Sequence, residues 1–124
     1  MERVPRISEA EWQVMKVIWS RPPSSAQEII EALADSSEWS AATIKTLLNR
    51  LVKKKALTFV KEGKSYRYAA RASEEEFQQA ESENFLQRVF DGALTPMIAH
   101  FVNTRKLSTK EVEELKRLLK GDGK

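Results

Sequence analysis

Three features of this 124-residue chain predict a mainly α-helical protein with one small β-hairpin. Apolar residues recur at helical spacing in three segments before residue 55, alternate one-on, one-off between residues 57 and 68, and return to helical spacing in three further segments after residue 73. Each change of period coincides with a turn or capping signal.

Residues 1–6 form a short arm, expected to be mobile, in which Pro5 disfavours a helix before it. Ser8 with Glu11 is a capping box, a serine whose side chain and a glutamate three residues on satisfy each other's backbone amides, and it opens a first helix to Trp19 or Ser20. Trp12, Met15, Ile18 and Trp19 share one side of it, with Val14 and Val17 widening the stripe. Pro22 and Pro23 stop it, since neither supplies a helical N–H. Ser24 or Ser25 opens a second helix on Ala26, Ile29, Ile30 and Leu33, ending near Ala34. Trp39 precedes the N-cap Ser40 of a third helix reaching Lys55.

That third helix is organised around two faces. Ile44, Leu47, Leu48 and Leu51 fall at i, i+3, i+4 and i+7 and commit one face to a core. Ala42, Thr46, Asn49, Arg50 and Lys53 project opposite, with Thr43 and Lys45 on the flanks. Small residues at the helix start allow close approach to a base edge, while Thr, Asn, Arg and Lys supply donors for bases and phosphates. Between Ser40 and Tyr68 eight Lys or Arg meet one acid, Glu62, a local net charge of +7 in a chain whose total is +3. Ser8/Glu11, Ser25/Glu28, Ser73/Glu76 and Ser108/Glu111 all read as capping boxes, but Ser40 is followed by Thr43. A glutamate there would suit the helix dipole yet repel a phosphate docked at the same end. This is the pattern of a DNA recognition helix.

After Lys55, Leu57, Phe59 and Lys61 alternate toward a Glu62-Gly63-Lys64 turn, and Tyr66 and Tyr68 flank Arg67 on the way back. Three helices followed by a hairpin tipped with Lys61, Lys64 and Arg67 describe a winged helix-turn-helix domain over residues 1–72, with Lys64 and Arg67 on the phosphate-facing wing.

Composition shifts at Ala72, because residues 74–83 hold five Glu and no Lys or Arg and so do not belong to a DNA surface. Residues 73–124 read as a helical dimerisation region. Its first helix carries Phe85, Leu86, Val89 and Phe90 up to Asp91 and Gly92; a second is expected to start with Thr95 as N-cap and Pro96 as first residue and carries Met97, Ile98, Phe101 and Val102. The last opens at the Ser108 box, with Leu107 and Val112 as a hydrophobic staple, and continues through Leu115, Leu118 and Leu119. Three short amphipathic helices bury their own apolar faces poorly, so a second copy of the chain is the expected partner.

Hydrophobic residues at 41% and charged residues at 31% suit a globular chain, with no apolar run near the ~20 residues of a membrane span and no signal-peptide pattern, so the cytoplasm is the expected location. No cysteine is present, and the one histidine, His100, sits among apolar residues, so no metal, cofactor or catalytic centre is expected. Three functions remain open on the residues alone: a sequence-specific repressor, a nonspecific nucleic-acid binder, and an interaction module docking an acidic protein. The affinity ratio between one palindromic site and random duplex separates them.

The segments AEWQVMKVIW, WSAATIKTLLNRLVKKKAL, GKSYRY, SENFLQRVFDG and LSTKEVEELKRLL resemble the BlaI/MecI family of bacterial transcriptional repressors across nearly the whole chain. The resemblance implies a winged-helix domain, a C-terminal dimerisation region, and repression of antibiotic-resistance genes by a homodimer on inverted-repeat operators. It also implies base-contact roles for Ala42, Thr43, Lys45, Thr46 and Arg50, and release by proteolysis in the C-terminal region after a membrane sensor-protease detects a β-lactam. The chain departs from the family where Ala41 and Ala42 replace Pro-Lys, where Lys55 replaces a helix-ending glycine, and where His100-Phe101 matches an Asn-Phe cleavage site. A lysine in a left-handed cap costs about 1 kcal/mol or more, so a helix one residue longer is the alternative at Lys55. A related branch that senses copper through clustered cysteines is excluded by their absence.

Overall fold

A computed structural model describes residues 4–104 and 107–121. The element order is α1 (Glu9–Ser20), β1 (Ser24–Ser25), α2 (Ala26–Ala34), α3 (Ala41–Lys53), β2 (Leu57–Glu62), β3 (Ser65–Ala70), α4 (Glu74–Phe90), α5 (Leu94–Asn103) and α6 (Thr109–Leu119). The chain divides into two compact units, one ending at Glu81 and the other starting at Ser82.

The first unit is built on apolar stripes that meet. Val14, Met15 and Ile18 of α1, Ile29 and Leu33 of α2, and Ile44, Leu47, Leu48 and Leu51 of α3 form one buried core, closed by Ala56 and Leu57 at the start of the wing. Trp12, Trp19 and Trp39 are half-buried against it rather than at its centre. Residues 1–3 of the arm lie outside the described residues, whereas Val4 and Ile7 already pack on the core.

All four expected capping boxes form. The Ser8, Ser25, Ser73 and Ser108 hydroxyls each accept from the amide three residues on at 3.1 Å, and the partner glutamates accept in return. At α3 the Ser40 hydroxyl accepts from the Thr43 amide at 3.1 Å with no acid in the first turn.

The hairpin pairs Phe59 with Tyr68 and Lys61 with Tyr66, and Gly63 turns it with φ +63. The sheet has three strands, in the order β1-β3-β2, because Ser24 and Ser25 pair with Tyr68 and Arg67. The base of the wing is thereby tied to the start of α2.

Two boundary expectations are corrected. Lys55 takes the left-handed conformation at φ +66, so α3 does not lengthen. The Lys55 amide donates to the Val52 carbonyl at 3.0 Å and the Ala56 amide to the Leu51 carbonyl at 2.9 Å, the bond pattern of a Schellman cap. Burial of Ala56 and Leu57 immediately beyond requires the chain to turn there, which offsets the strain on Lys55. Second, α5 starts at Leu94 after Ala93, which makes no side-chain cap, so Thr95 and Pro96 lie inside the first turn. Proline is tolerated there because first-turn amides have no helical acceptor.

A third difference concerns Phe77. The acidic stretch was expected to stand apart, yet Phe77 on α4 is 1% exposed and joins the core of the first unit. Its ring lies 5.3 Å from Trp19 and 6.2 Å from Trp12 between centroids, and Trp19 donates its indole N–H to the Ala72 carbonyl at 3.0 Å. Around this apolar anchor Glu75, Glu76 and Glu83 of α4 are exposed, while Glu74 and Glu81 are half-buried.

In the second unit the described residues of α5 and α6 include none that is buried in this chain. Phe85, Leu86 and Phe90 of α4, Met97 and Ile98 of α5, and Val112 and Leu115 of α6 are half-buried; Val89, Phe101, Val102, Leu118 and Leu119 are exposed, the last at 69%. Leu107 and Val112, the expected staple, are both half-buried.

Candidate nucleic-acid interface

The division of α3 into a buried and a presented face follows from its spacing. With Ile44, Leu47, Leu48 and Leu51 inside, Ala42, Thr43, Lys45, Thr46, Asn49, Arg50 and Lys53 are all exposed. Two hydroxyls of that face already have partners: Thr46 donates to the Ala42 carbonyl at 3.0 Å, and Thr43 shares a 3.1 Å hydrogen bond with Ser40. Each rotates freely enough to redirect, and each oxygen keeps a lone pair for a base edge. Among the described residues none engages Lys45, Asn49, Arg50, Lys53 or Lys64, so these five carry the unspent donors of the face.

The wing closes one side of this surface. Lys45 and Asn49 of α3, Lys64 and Tyr66 of the hairpin, and Gln27 and Ile30 of α2 line one shallow cavity of about 410 Å³. A second, of about 480 Å³, lies between Asn49, Val52 and Lys53 of α3 and Phe59, Tyr66 and Tyr68 of the hairpin. Phe59 packs edge-on against Tyr66, their centroids 5.2 Å apart, which stiffens the hairpin beside α3. Burial, with Tyr66 nearby, pushes the Tyr68 phenol above its ordinary range, so it stays a neutral donor.

Arg67 is placed differently from Lys64. Lys64 is exposed at the turn, whereas Arg67 is half-buried and lies 3.1 Å from Glu28 and 3.4 Å from Glu62. Bonds from the Ser25 amide and hydroxyl, helped by Arg67, hold the Glu28 carboxyl below its usual range. Sequence reasoning also missed Gln27 and Tyr66, which face the same cavity as Lys45. The available signals were Gln27 two residues after the Ser25 cap, and Tyr66 opposite Lys61 in the alternation.

The Lys54 ammonium turns away from the basic face and pairs with Glu11 of α1 at 2.6 Å. Glu11 is 1% exposed, and its other oxygen has no partner among the described residues. Burial works against its charge, but the bonds from Lys54 and Ser8 outweigh it and hold its carboxyl below the ordinary value.

The expected partner-facing residues of the second unit cluster locally. Phe85 and Phe90 lie 6.0 Å apart between centroids, His100 lies 6.5 Å from Phe90, and His100 and Phe101 stand side by side within α5. No group of three or more His, Cys, Asp or Glu with metal-holding geometry occurs among the described residues, and none of their helices is long and apolar enough to cross a membrane.

Residues 7–121 match the family model for the penicillinase repressor. The chain is 40% identical over 119 residues to the penicillinase repressor of Bacillus licheniformis, covering 96% of this chain and 93% of that one. The chain belongs to the penicillinase repressor family. It is also 37% identical over 113 residues to the methicillin resistance regulatory protein MecI of Staphylococcus aureus strain N315, covering 91% of this chain and 92% of that one. Among solved structures it is similar to the DNA-binding domain of the repressor BlaI, at 43% identity and a TM-score of 0.55, covering 61% of this chain and 93% of that one. The monomeric form of BlaI from Bacillus licheniformis, solved in complex with the blaP half-operator, aligns over the same shares at 43% identity and a TM-score of 0.54. The resemblance read from the segments is therefore borne out, as is the winged-helix fold. Penicillinase repressor relatives are transcriptional regulators, not enzymes.

Proposed function

We propose that this chain is a sequence-specific DNA-binding repressor of β-lactam resistance genes, acting as a homodimer on inverted-repeat operators. The observation that carries the reading is the exposed, acid-free, cationic face of α3 beside Lys64 of the wing, in a family with a relative solved on operator DNA. Ala42, Thr43, Lys45, Thr46, Asn49 and Arg50 meet base edges, while Lys53 and Lys64 neutralise phosphates. Arg67 reaches phosphate only when released from its two carboxylates.

Residues 1–72 supply the DNA contacts in this reading, and residues 73–124 supply the dimer. The exposed apolar side chains of α5 and α6 need cover, and a two-fold partner both covers them and presents a second recognition helix to the second half-site. Linking two half-site contacts raises affinity by about 10² to 10⁴. A membrane sensor-protease that cuts between His100 and Phe101 divides α5, and release of operator follows from loss of the dimer.

The test is binding of the full chain, across a range of salt, to a palindromic duplex recovered by selection from a random pool and to a scrambled duplex of equal length. A specific repressor binds the palindrome about 10³-fold or more tightly with a steep salt slope on both. Equal affinity for the two duplexes contradicts the reading.

A further inference from the structure

Glu11 is used more expensively than capping requires. The glutamates of the other three capping boxes, Glu28, Glu76 and Glu111, do the same backbone work while exposed to solvent. Glu11 is buried, and a buried carboxylate is costly to desolvate unless a cation and hydrogen bonds compensate it. One oxygen, Oε1, accepts both from the Ser8 amide at 2.7 Å and from the Lys54 ammonium at 2.6 Å, while Oε2 is buried without a partner among the described residues. Replacing Glu11 and Lys54 together by well-packed apolar side chains would cost little or no stability, so stability alone does not account for the pair. What the carboxylate adds is a fixed point for Lys54.

Lys54 occupies a decisive place in the chain. It is the C-cap of α3, followed by left-handed Lys55 and by the buried pair Ala56 and Leu57, where β2 begins. The path from recognition helix to wing therefore bends within four residues, and fraying at this point would move Arg50 and Lys53 relative to Lys64. Tying Lys54 to the N-terminal turn of α1 anchors the bend to the centre of the unit.

Resting on the DNA-binding reading above, we infer that Glu11 is a positioning residue for DNA recognition: it withdraws Lys54 from the run Lys53, Lys54, Lys55 and uses it to lock the angle between α3 and the wing. Lys54 then contributes nothing to the phosphate count, despite its place in a basic run, and acts only through Glu11.

Two measurements test this. Competitive acetylation of lysines with acetic anhydride, in the free chain, is expected to modify Lys54 several-fold more slowly than Lys53 and Lys55, with the difference lost in Glu11→Gln. On DNA, Lys53→Gln is expected to reduce the salt slope by about one unit. Lys54→Gln and Glu11→Gln are each expected to keep the wild-type slope but lower the palindrome-to-scrambled affinity ratio about five- to tenfold, with the double variant no worse than the more affected single one. Lys54→Arg, which restores a cation, should recover most of the ratio. A purely structural role would lower the folded fraction and so affect both duplexes equally. If Glu11→Gln does not fold, Lys54→Gln at the half-exposed helix end carries the same test.

Acetylation of Lys54 at the rate of its neighbours overturns the inference alone, as does a Lys54→Gln variant with a flattened slope and an unchanged ratio. A wild-type chain without preference for the palindrome overturns the DNA reading and the inference with it, even where Lys54 is protected.

Discussion

Arg67 and Lys64 sit three residues apart on the wing, yet their surroundings assign them different electrostatic work. Glu28 and Glu62 already hold Arg67, while Lys64 is exposed at the turn. Lys64→Gln is therefore expected to lower the salt slope of DNA binding by about one unit, and Arg67→Gln by clearly less. Isotherms at four or more salt concentrations read both. Glu11 gives a pH signature at the same scale. Its folded pKa lies below the ordinary carboxylate value of about 4.3, so its stabilising contribution is present above that value and is lost as pH falls through the lowered one. Glu11→Gln should cost about 1–3 kcal/mol at neutral pH, and the gap to wild type should narrow in acid, as measured by urea unfolding at both pH values. The exposed set on α3 was readable in the sequence because a helical stripe determines its opposite face. The pairing of Arg67 with Glu28 and of Lys54 with Glu11 was not, since these partners lie 39 and 43 residues away and no local period encodes them.

At the level of elements, capping chemistry located most helix starts and failed where a start has no side-chain cap, as at Ala93 before α5. The two-residue β1 escaped notice because two serines carry no alternation, and their strand exists only through pairing with β3. Phe77 does not stand out in the sequence because it is one large apolar residue among acids, with only Ala80 at i+3 and Glu81 at i+4 where a stripe would continue. The end of α3 was a matter of competition: the strain of a left-handed lysine against burial of Ala56 and Leu57, and burial prevailed. A glycine removes the strain without changing the bonds of the cap. Lys55→Gly is accordingly expected to stabilise the chain by about 1 kcal/mol, read as a raised urea midpoint, with specificity for the palindrome unchanged.

For the whole molecule, Phe77 decides where the first unit can be cut. A fragment ending at Ala72 loses a core aromatic that packs on Trp12 and Trp19, whereas one ending at Glu81 retains it. The longer fragment is expected to be more stable by about 3–5 kcal/mol, the cost of deleting a buried Phe side chain, when the two are compared by thermal and urea unfolding. Both should sediment as monomers, because the apolar residues of α5 and α6 are absent from them. The account as a whole rests on α3 reading bases, and Arg50, exposed and without a partner among the described residues, tests this most directly. The measurement is the affinity of wild type and Arg50→Ala for the selected palindrome and for scrambled duplex at matched salt. A loss of about 1–3 kcal/mol on the palindrome, with a much smaller loss on scrambled duplex, is the predicted result. Equal losses on the two duplexes would contradict it, reducing Arg50 to a phosphate contact and α3 to a basic helix that does not read sequence.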